Sequence, residues 1–301
     1  MKPRPIAVVG PTATGKSELG VRLALALGGE VINADAMQLY RGMDLGTAKL
    51  PVEQRCGVVH HQLDVLEVTE MASVAAYQRR ARTTIEELLS AGRTPVIVGG
   101  SGLYVRALVD ELDFPGTDAQ LRARLQDELV EVGPGALHRR LAEADPVAAE
   151  AILPSNGRRI VRALEVIELT GRPFSAAMPS PAPPRYGTTL IGVDLEPSTV
   201  DERVNHRVDR MFAGGLVDEV RSLVPRGLRS GVTARRALGY RQVLAALDGE
   251  CDLVTAVSAT AQATRRFVRR QRSWFRRDDR IVWLHGGRPD LVDAALAQAG
   301  T

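Results

Sequence analysis

The chain has 301 residues, long enough to bury a sizeable core as one large domain or two. Its 45% hydrophobic and 25% charged residues are typical of a globular protein, and no run approaches the ~18 apolar residues of a membrane span. The net charge is only +3, but the basic residues are unevenly placed and nearly all arginine, which suggests a polyanionic partner.

The two cysteines exclude a disulfide framework. Cys56 and Cys251 are far apart and form no C-x-x-C pair. A reducing compartment suits such a chain best, and the first residues lack the apolar stretch of a secretion signal. We therefore expect a cytoplasmic protein.

A phosphate-binding loop follows the first predicted strand. Residues 6–9 are an apolar run, and leucines at four-residue spacing after residue 17 predict a helix. Glycines between them let the backbone wrap around an anion, Lys16 adds a positive charge, and the Ser17 hydroxyl suits Mg²⁺. The stretch fits G-x-x-x-x-G-K-[ST], and its residues are Gly10, Pro11, Thr12, Ala13, Thr14, Gly15, Lys16 and Ser17. A chance match is the alternative, but the strand, loop and helix in register favour binding of a di- or triphosphate.

Residues 30–35 predict a second strand that ends at Asp35. Ligands of open α/β sheets lie at the carboxyl ends of the strands, so Asp35 should lie near the phosphate loop. Position alone leaves Asp35 open between a functional carboxylate and a helix cap. We expect Lys49, in a loop with several glycines, to be a solvated charge. We interpret His60 and His61 as structural, because neighbouring side chains on an extended chain point apart.

The third predicted strand, residues 94–98, follows a helix over 71–89 for which Ser73 is a plausible N-cap. The strand ends at Gly99 and Gly100, where phosphate-loop hydrolases commonly have a metal-holding Asp. Glycines at the end of a strand permit close approach of a ligand or another backbone.

From residue 113 the pattern becomes helical, with loops at 133–135 and 154–157, and a proline-rich connector at 178–184 ends the block. Strand character returns at 188–193 and again at 281–284. The predicted fold is α/β: a phosphate-loop NTPase-like parallel sheet flanked by helices, with a helical insertion domain. The core comprises residues 1–112 and 188–301, and the insertion comprises 113–187.

Arginines are dense in the last third of the chain. They recur at helical spacing in two stripes. Along the later stripe carboxylates are scarce until Asp278 and Asp279, so intrahelical ion pairs cannot satisfy it. A solvated face is the alternative, but we favour contacts to phosphates. The two stripes are Arg203, Arg207 and Arg210, and then Arg265, Arg269, Arg272 and Arg276.

These stretches together resemble the tRNA dimethylallyltransferases, also called tRNA isopentenyltransferases. The resemblance extends from about residue 5 to residue 285 in unbroken order, which makes it specific. The blocks that carry it are the phosphate loop, residues 33–49, 60–64, 98–104, 162–166 and 239–242.

The resemblance implies transfer of a dimethylallyl group from dimethylallyl diphosphate to the exocyclic amine of the adenine 3′ of the anticodon in tRNA. The phosphate loop would hold the diphosphate with Mg²⁺ at Ser17, with Arg207 nearby, and Asp35 would be the general base. The insertion would contact the anticodon stem-loop, and the enzyme would be a monomer. The tRNA-contacting residues implied are Asp35, Ala36, Met37, Gln38, Ser101 (where the family commonly has Thr) and Arg122.

Two other interpretations are possible. A small-molecule or nucleotide kinase would use the same loop on ATP, usually with an arginine-bearing lid and a metal-holding Asp after a strand, and the Gly99-Gly100 ending disfavours it. A non-catalytic RNA-binding protein would explain the arginines but leave Lys16, Ser17 and Asp35 without a purpose.

Overall fold

A computed structural model describes residues 3–177 and 182–300. Its centre is a six-stranded sheet in which all neighbouring strands are parallel, in the order β3-β2-β4-β1-β5-β6. The strands are β1 (Ile6–Val9), β2 (Glu30–Asn33), β3 (His60–His61), β4 (Pro95–Gly99), β5 (Thr189–Asp194) and β6 (Val282–His285).

The helices connect these strands or form the inserted block. They are α1 (Lys16–Ala26), α2 (Val74–Ser90), α3 (Gly102–Val109), α4 (Ala119–Ala144), α5 (Pro146–Ala151), α6 (Gly157–Thr170), α7 (Pro197–Ala213), α8 (Leu216–Leu223), α9 (Tyr240–Leu247), α10 (Leu253–Phe275) and α11 (Leu291–Ala299). Short 3₁₀ turns occur at Met37–Leu39, Val52–Arg55, Phe174–Ala177, Arg185–Gly187 and Ala234–Arg236. None of the helices in the described ranges is long and apolar enough to cross a membrane.

The sheet is covered on both faces, which explains why its central strands are continuous apolar runs. Along β1, Ala7 and Val9 pack into one hydrophobic cluster, and Ile6 and Val8 pack into another. Successive strand residues point to opposite faces, so each strand contributes to both layers. The register aligns Val8 with residues 98 and 191 of the neighbouring strands, which brings the carboxyl ends of β4, β1 and β5 to one edge.

The chain forms two compact units. The sheet unit comprises residues 1–109 and 184–301, and the helical unit comprises residues 110–183. In the helical unit, α4 is broken at Gly133, whose φ of 77° is non-helical, at the position of the predicted 133–135 loop. Its own core includes Leu125, Leu137 and Ile160. Residues 178–181 of the predicted proline-rich connector lie outside the described residues.

The predicted elements are present, with shifted ends. The second strand stops at Asn33, so that Asp35 lies in the turn beyond it. The predicted cap of α2 is confirmed, since the Ser73 hydroxyl accepts a hydrogen bond from the Ala76 N–H.

Candidate functional site

The phosphate loop joins β1 to α1 at the carboxyl edge of the sheet. Gly10 has a φ of 130°, and a Cβ there would lie 2.4 Å from the Val193 carbonyl oxygen of β5. The Pro11 carbonyl accepts hydrogen bonds from the Thr14 hydroxyl (2.9 Å) and from the Lys16 ammonium. Gly10, Pro11 and Thr14 therefore form the frame of the loop.

Ala13 packs this loop against the neighbouring helices α7 and α10. Its φ of 69° is left-handed, a conformation that is uncommon for a residue other than glycine. Its buried methyl group belongs to a cluster contributed by the segment after β5 and by α7 and α10. The partners are Leu195, Val200, Val204, Val208 and Val268.

A cleft of about 400 Å³ opens over the loop. Two elements besides the loop contribute predicted site residues to its lining: the segment after β2 gives Asp35 and Gln38, and α7 gives Arg207. The loop residues that line the cleft are Thr12, Ala13, Gly15, Lys16 and Ser17. The fold thus places the predicted site residues around one cleft: the phosphate loop, Asp35, Gln38 and Arg207.

Lys16 is buried beside another cation. Lys16 is only 8% exposed, and burial together with the nearby Arg207 guanidinium lowers the pKa of Lys16 to about 7, although Asp35 and Asp194 partly oppose this shift. Arg207 itself donates a hydrogen bond to the Thr12 hydroxyl at 3.0 Å. Two neighbouring cations beside a phosphate-binding loop form a site that attracts a phosphate group.

Asp35 is held by Asn33. The Asn33 amide oxygen accepts a hydrogen bond from the Asp35 N–H, and its amide nitrogen donates to the Asp35 carbonyl, both at 3.0 Å. The Asp35 carboxylate accepts a hydrogen bond from the Met37 N–H at 2.9 Å, so it also caps the short turn that follows. Burial raises the pKa of Asp35, against the opposing effects of this N–H and of Lys16. A carboxylate with a raised pKa is suited to accept a proton.

A second cleft, of about 500 Å³, adjoins the first. Ala36, Met37 and Ser101 line it, and the Ser101 hydroxyl accepts a hydrogen bond from the Ala36 N–H at 3.2 Å. Asp35 and Arg207 line both clefts. The far wall is partly apolar and partly basic, and it includes Met211, Phe267, Arg236, Arg241, Arg266 and Arg270.

Gln38 and Arg122 have different settings. The Gln38 amide donates to the Thr47 carbonyl at 3.1 Å at the edge of the first cleft. Arg122 belongs to the helical unit, where its Nε and Nη2 atoms lie 3.0 and 2.6 Å from the fully buried Glu165 carboxylate. Arg162 pairs with the same carboxylate. Arg122, whose side chain is 29% exposed, is therefore paired within its own unit.

The prediction that the arginine stripe on α10 lacks partners is wrong in part. Arg272 makes two hydrogen bonds of 2.8 Å to Asp194, and Arg269 pairs with Asp201 at 3.1 Å. The carboxylates come from β5 and α7, so counting acidic residues within the helix could not find them. The arginines of α10 that remain at a cleft are Arg266 and Arg270.

The prediction of a solvated Lys49 is also wrong. Its side chain is 3% exposed, and its ammonium donates to Asp44 (2.5 Å), Asp64 (2.6 Å) and the Tyr40 carbonyl (3.0 Å). Glu219 of α8 holds the same loop, accepting hydrogen bonds from three consecutive N–H groups at residues 44–46. This loop continues into residues 47 and 48, which line both clefts.

Sequence reasoning missed the carboxylate at the end of β5. Asp194 lies at the carboxyl edge next to the phosphate loop, where a kinase would hold its metal. Burial would raise the pKa of Asp194, but hydrogen bonds from Arg272 and the Leu195 N–H outweigh it and lower that pKa. An aspartate directly after a predicted strand was the available signal. Its engagement by Arg272 disfavours a kinase site.

The histidines and glycines have structural settings. His61 pairs with Glu30 at 2.5 Å, and His60 contacts the Val58 carbonyl, in agreement with their predicted structural role. Within the described ranges, no group of three or more His, Cys, Asp or Glu residues could hold a metal ion. A Cβ at Gly99 would lie 2.3 Å from the Ala34 carbonyl, so the predicted close approach there involves another backbone.

The fold and the site together define an α/β protein of the phosphate-loop class, in which an anion-binding cleft shares an aspartate with a second, basic and apolar cleft. A model of the IPP transferase family matches residues 38–278. The chain belongs to the IPP transferase family.

Two relatives and a bacterial crystal structure are similar to the chain over nearly their whole length. The chain is 66% identical to a tRNA dimethylallyltransferase of Saccharopolyspora erythraea, covering 99% of this chain and 96% of that protein. It is 66% identical to one of Streptomyces coelicolor, covering 97% and 93%. The crystal structure of the tRNA isopentenylpyrophosphate transferase of Bacillus halodurans has a TM-score of 0.73 at 38% identity, covering 99% of this chain and 97% of that one. A eukaryotic dimethylallyltransferase acting on tRNA shares the fold, with a TM-score of 0.80 at 24% identity, covering 99% of this chain and 77% of that one.

Proposed function

We propose that this protein transfers a dimethylallyl group from dimethylallyl diphosphate to the exocyclic amine of the adenine 3′ of the anticodon in tRNA, releasing diphosphate. That it is an enzyme of tRNA prenyl transfer follows from its family membership and from its relatives at 66% identity. The donor, the target base and the residue roles are the proposal.

The observation that carries the proposal is the position of Asp35. It lines both the cleft over the phosphate loop and the adjoining cleft. A transfer reaction between a small diphosphate and a large acceptor needs a base at the junction of two binding sites. The Asn33 side chain holds Asp35 there through hydrogen bonds to both its N–H and its carbonyl.

On the donor side, the phosphate loop, Lys16 and Arg207 bind the diphosphate. Lys16 holds its proton most firmly when that anion is present, because the anion offsets the burial and the neighbouring Arg207. Mg²⁺ fits here, since it is commonly bound by a hydroxyl, phosphate oxygens and water rather than by a carboxylate cage, and the exposed Ser17 hydroxyl lines the cleft. When bound, Mg²⁺ would stabilise negative charge on the diphosphate.

In the transfer, the bond between the allylic carbon and the diphosphate oxygen breaks, and its electron pair leaves with the diphosphate. The lone pair of the adenine amine forms the new bond to that carbon, and Asp35 accepts the amine proton. Loop N–H groups and Lys16 stabilise the charge that develops on the leaving group.

On the acceptor side, the target base leaves its stack to reach Asp35, which costs a few kcal/mol. We assign Ala36, Met37, Gln38 and Ser101 to contacts with the flipped nucleotide and its neighbours. Arg122 and the helical unit are assigned to the anticodon stem-loop, and the basic wall with Arg266 and Arg270 to phosphates. We place the enzyme in the cytoplasm, as a monomer.

The test is transfer of label from dimethylallyl diphosphate to unmodified tRNA, with Mg²⁺, by the parent protein and by Asp35→Asn. The asparagine keeps an acceptor for the Met37 N–H but cannot take a proton. We expect transfer to be lost while tRNA binding is nearly kept. Unchanged transfer by Asp35→Asn refutes the base assignment.

The matched control is Asp218→Asn, an exposed aspartate paired only with Arg221 on the surface of α8 among the described contacts, and it should retain parental activity. Parallel reactions contain labelled ATP instead of the allyl donor. Splitting of ATP, or transfer of its phosphate, with no label reaching tRNA would mean a kinase and would overturn the proposal.

A further inference from the structure

A buried glutamine joins the two halves of the site. Gln271 of α10 is 5% exposed, and its side chain lies between the phosphate loop and the end of β4. Its amide oxygen accepts a hydrogen bond from the Thr12 N–H, and its amide nitrogen donates to the Gly100 carbonyl, both at 2.9 Å. One planar group therefore fixes the separation of two loops that are far apart in the chain.

Each loop leads directly to reacting groups. On one side, Thr12 lines the donor cleft and its hydroxyl accepts a hydrogen bond from Arg207. On the other side, Gly100 precedes Ser101, whose hydroxyl holds the Ala36 N–H next to Asp35. The Gln271 amide thus connects the phosphate loop to the segment that carries the proposed general base, Asp35.

The glycine at position 100 is explained by the same contact. A Cβ there would lie 2.3 Å from the Gln271 amide nitrogen, closer than side-chain atoms approach one another. The absence of a side chain at position 100 thus lets the amide reach the Gly100 carbonyl. Because both hydrogen bonds of the amide go to backbone groups, the position of one loop is tied to that of the other.

We infer that Gln271 is a positioning residue that sets the distance between the bound diphosphate and Asp35. The inference rests on the proposed function, and it assigns Gln271 no contact with the reacting atoms. Glutamine suits the role because one flat group supplies an acceptor for Thr12 and a donor for Gly100. Methionine supplies neither, and an ionised glutamate supplies only the acceptor and would oppose the Gly100 carbonyl.

The experiment measures kcat for label transfer, together with binding of inorganic pyrophosphate and of unmodified tRNA, in the full chain. For Gln271→Met we expect kcat to fall by about 10- to 100-fold, since misplacing reactants by about 1 Å costs rates of that order. Gln271 borders the cleft over the loop. Binding of pyrophosphate and of tRNA should nevertheless each change by less than about threefold, because the phosphate loop, Lys16 and Arg207, to which the proposed function assigns the diphosphate, remain.

Gln242→Met is the matched control. Gln242 is a second buried glutamine that holds a backbone N–H, that of Gly239, at the start of α9. If its replacement lowers kcat as much as Gln271→Met does, the effect is one of packing and the inference falls. A kcat of Gln271→Met within threefold of the parent overturns it too, as does a loss of pyrophosphate affinity equal to the loss of kcat.

Gln271→Glu adds a pH signature that a structural role would not produce. A protonated glutamic acid has both a donor and an acceptor, and burial raises the pKa of such a carboxyl above its ordinary value of about 4.3. The activity of Gln271→Glu relative to the parent should therefore rise at least threefold between about pH 8 and pH 5.5. A constant ratio contradicts the inference. If the parent protein itself does not transfer label, the proposed function fails. If only the Gln271 variants behave otherwise than expected, the inference about Gln271 fails and the proposed function stands.

Discussion

Replacing Lys49 with methionine should lower the free energy of unfolding of the sheet unit by about 2–4 kcal/mol. Methionine fills the space of the aliphatic stem, so the change removes chiefly the ammonium group. The Tyr40 carbonyl, which is buried, then lacks that donor, at a cost of about 1–3 kcal/mol. Asp44 and Asp64 are 57% and 41% exposed and can turn to water, so each loses only about 0.5 kcal/mol.

Urea unfolding followed by tryptophan fluorescence measures this loss. Both tryptophans of the chain, Trp274 and Trp283, lie in the sheet unit, so the signal reports the unit that contains Lys49. The midpoint should fall with little change in the slope against urea, since the surface exposed on unfolding is nearly the same.

The matched control is Arg22→Met, which breaks the exposed ion pair of Arg22 with Glu18 on α1. Such a pair contributes about 0.3–0.5 kcal/mol. If Lys49→Met costs less than about 1 kcal/mol, or no more than Arg22→Met, the buried ammonium does not hold the loop and the reasoning is refuted.

Three further outcomes are expected. In a pH profile, kcat/KM for the donor should fall above about pH 7, where Lys16 of the free enzyme loses its proton, while kcat holds because bound diphosphate retains that proton. Lys16→Met should be more stable than the parent at about pH 6, with the difference shrinking above pH 7. The reason is that the unfolded chain keeps the Lys16 proton to near its ordinary pKa of 10.5 and the folded chain only to about 7, so parental stability rises with pH between those values. Gly99→Ala should destabilise the protein by about 1–3 kcal/mol in thermal unfolding, because its Cβ would lie 2.3 Å from the Ala34 carbonyl.

Each of these has its own contrary result. A kcat/KM that stays level from pH 6 to 9 would show that Lys16 keeps its proton in the free enzyme. A stability difference between Lys16→Met and the parent that does not vary with pH would mean that the ammonium is not the source of the cost. For Gly99→Ala the comparison is Gly135→Ala, where a Cβ meets open space and the change should be neutral or stabilising. Equal losses at the two glycines would contradict the close-approach argument.

The sequence predicted features that depend on near neighbours. The phosphate loop, the cap at Ser73 and the strand that leads to Asp35 are each encoded within a few residues. The parallel arrangement of the strands follows from the helices between them, and it brings the loop and Asp35 to one edge. The roles of Asp35 and Ser101 came from the family resemblance, and their placement at the clefts came from the structure.

What the sequence could not predict depends on partners far along the chain. Gln271 contacts Thr12 across 259 positions, and Arg272 contacts Asp194 across 78. Lys49 was misjudged because a lysine among glycines has the composition of a surface loop, although two aspartates and a carbonyl surround it. Polar residues become buried when tertiary contacts supply their hydrogen bonds, and composition alone does not reveal those contacts.

The buried methyl group of Ala13 bears on the affinity of the proposed donor site. Because that methyl is enclosed by α7 and α10, the loop acquires its shape when the sheet unit folds, and little conformational entropy remains to be lost when a diphosphate arrives. Under the proposed function, residues such as Val204 and Val268, which line no cleft described above, thereby share in donor affinity. Under that function, changes to the packing between α7 and α10 alter donor affinity even where every residue that contacts the anion is kept.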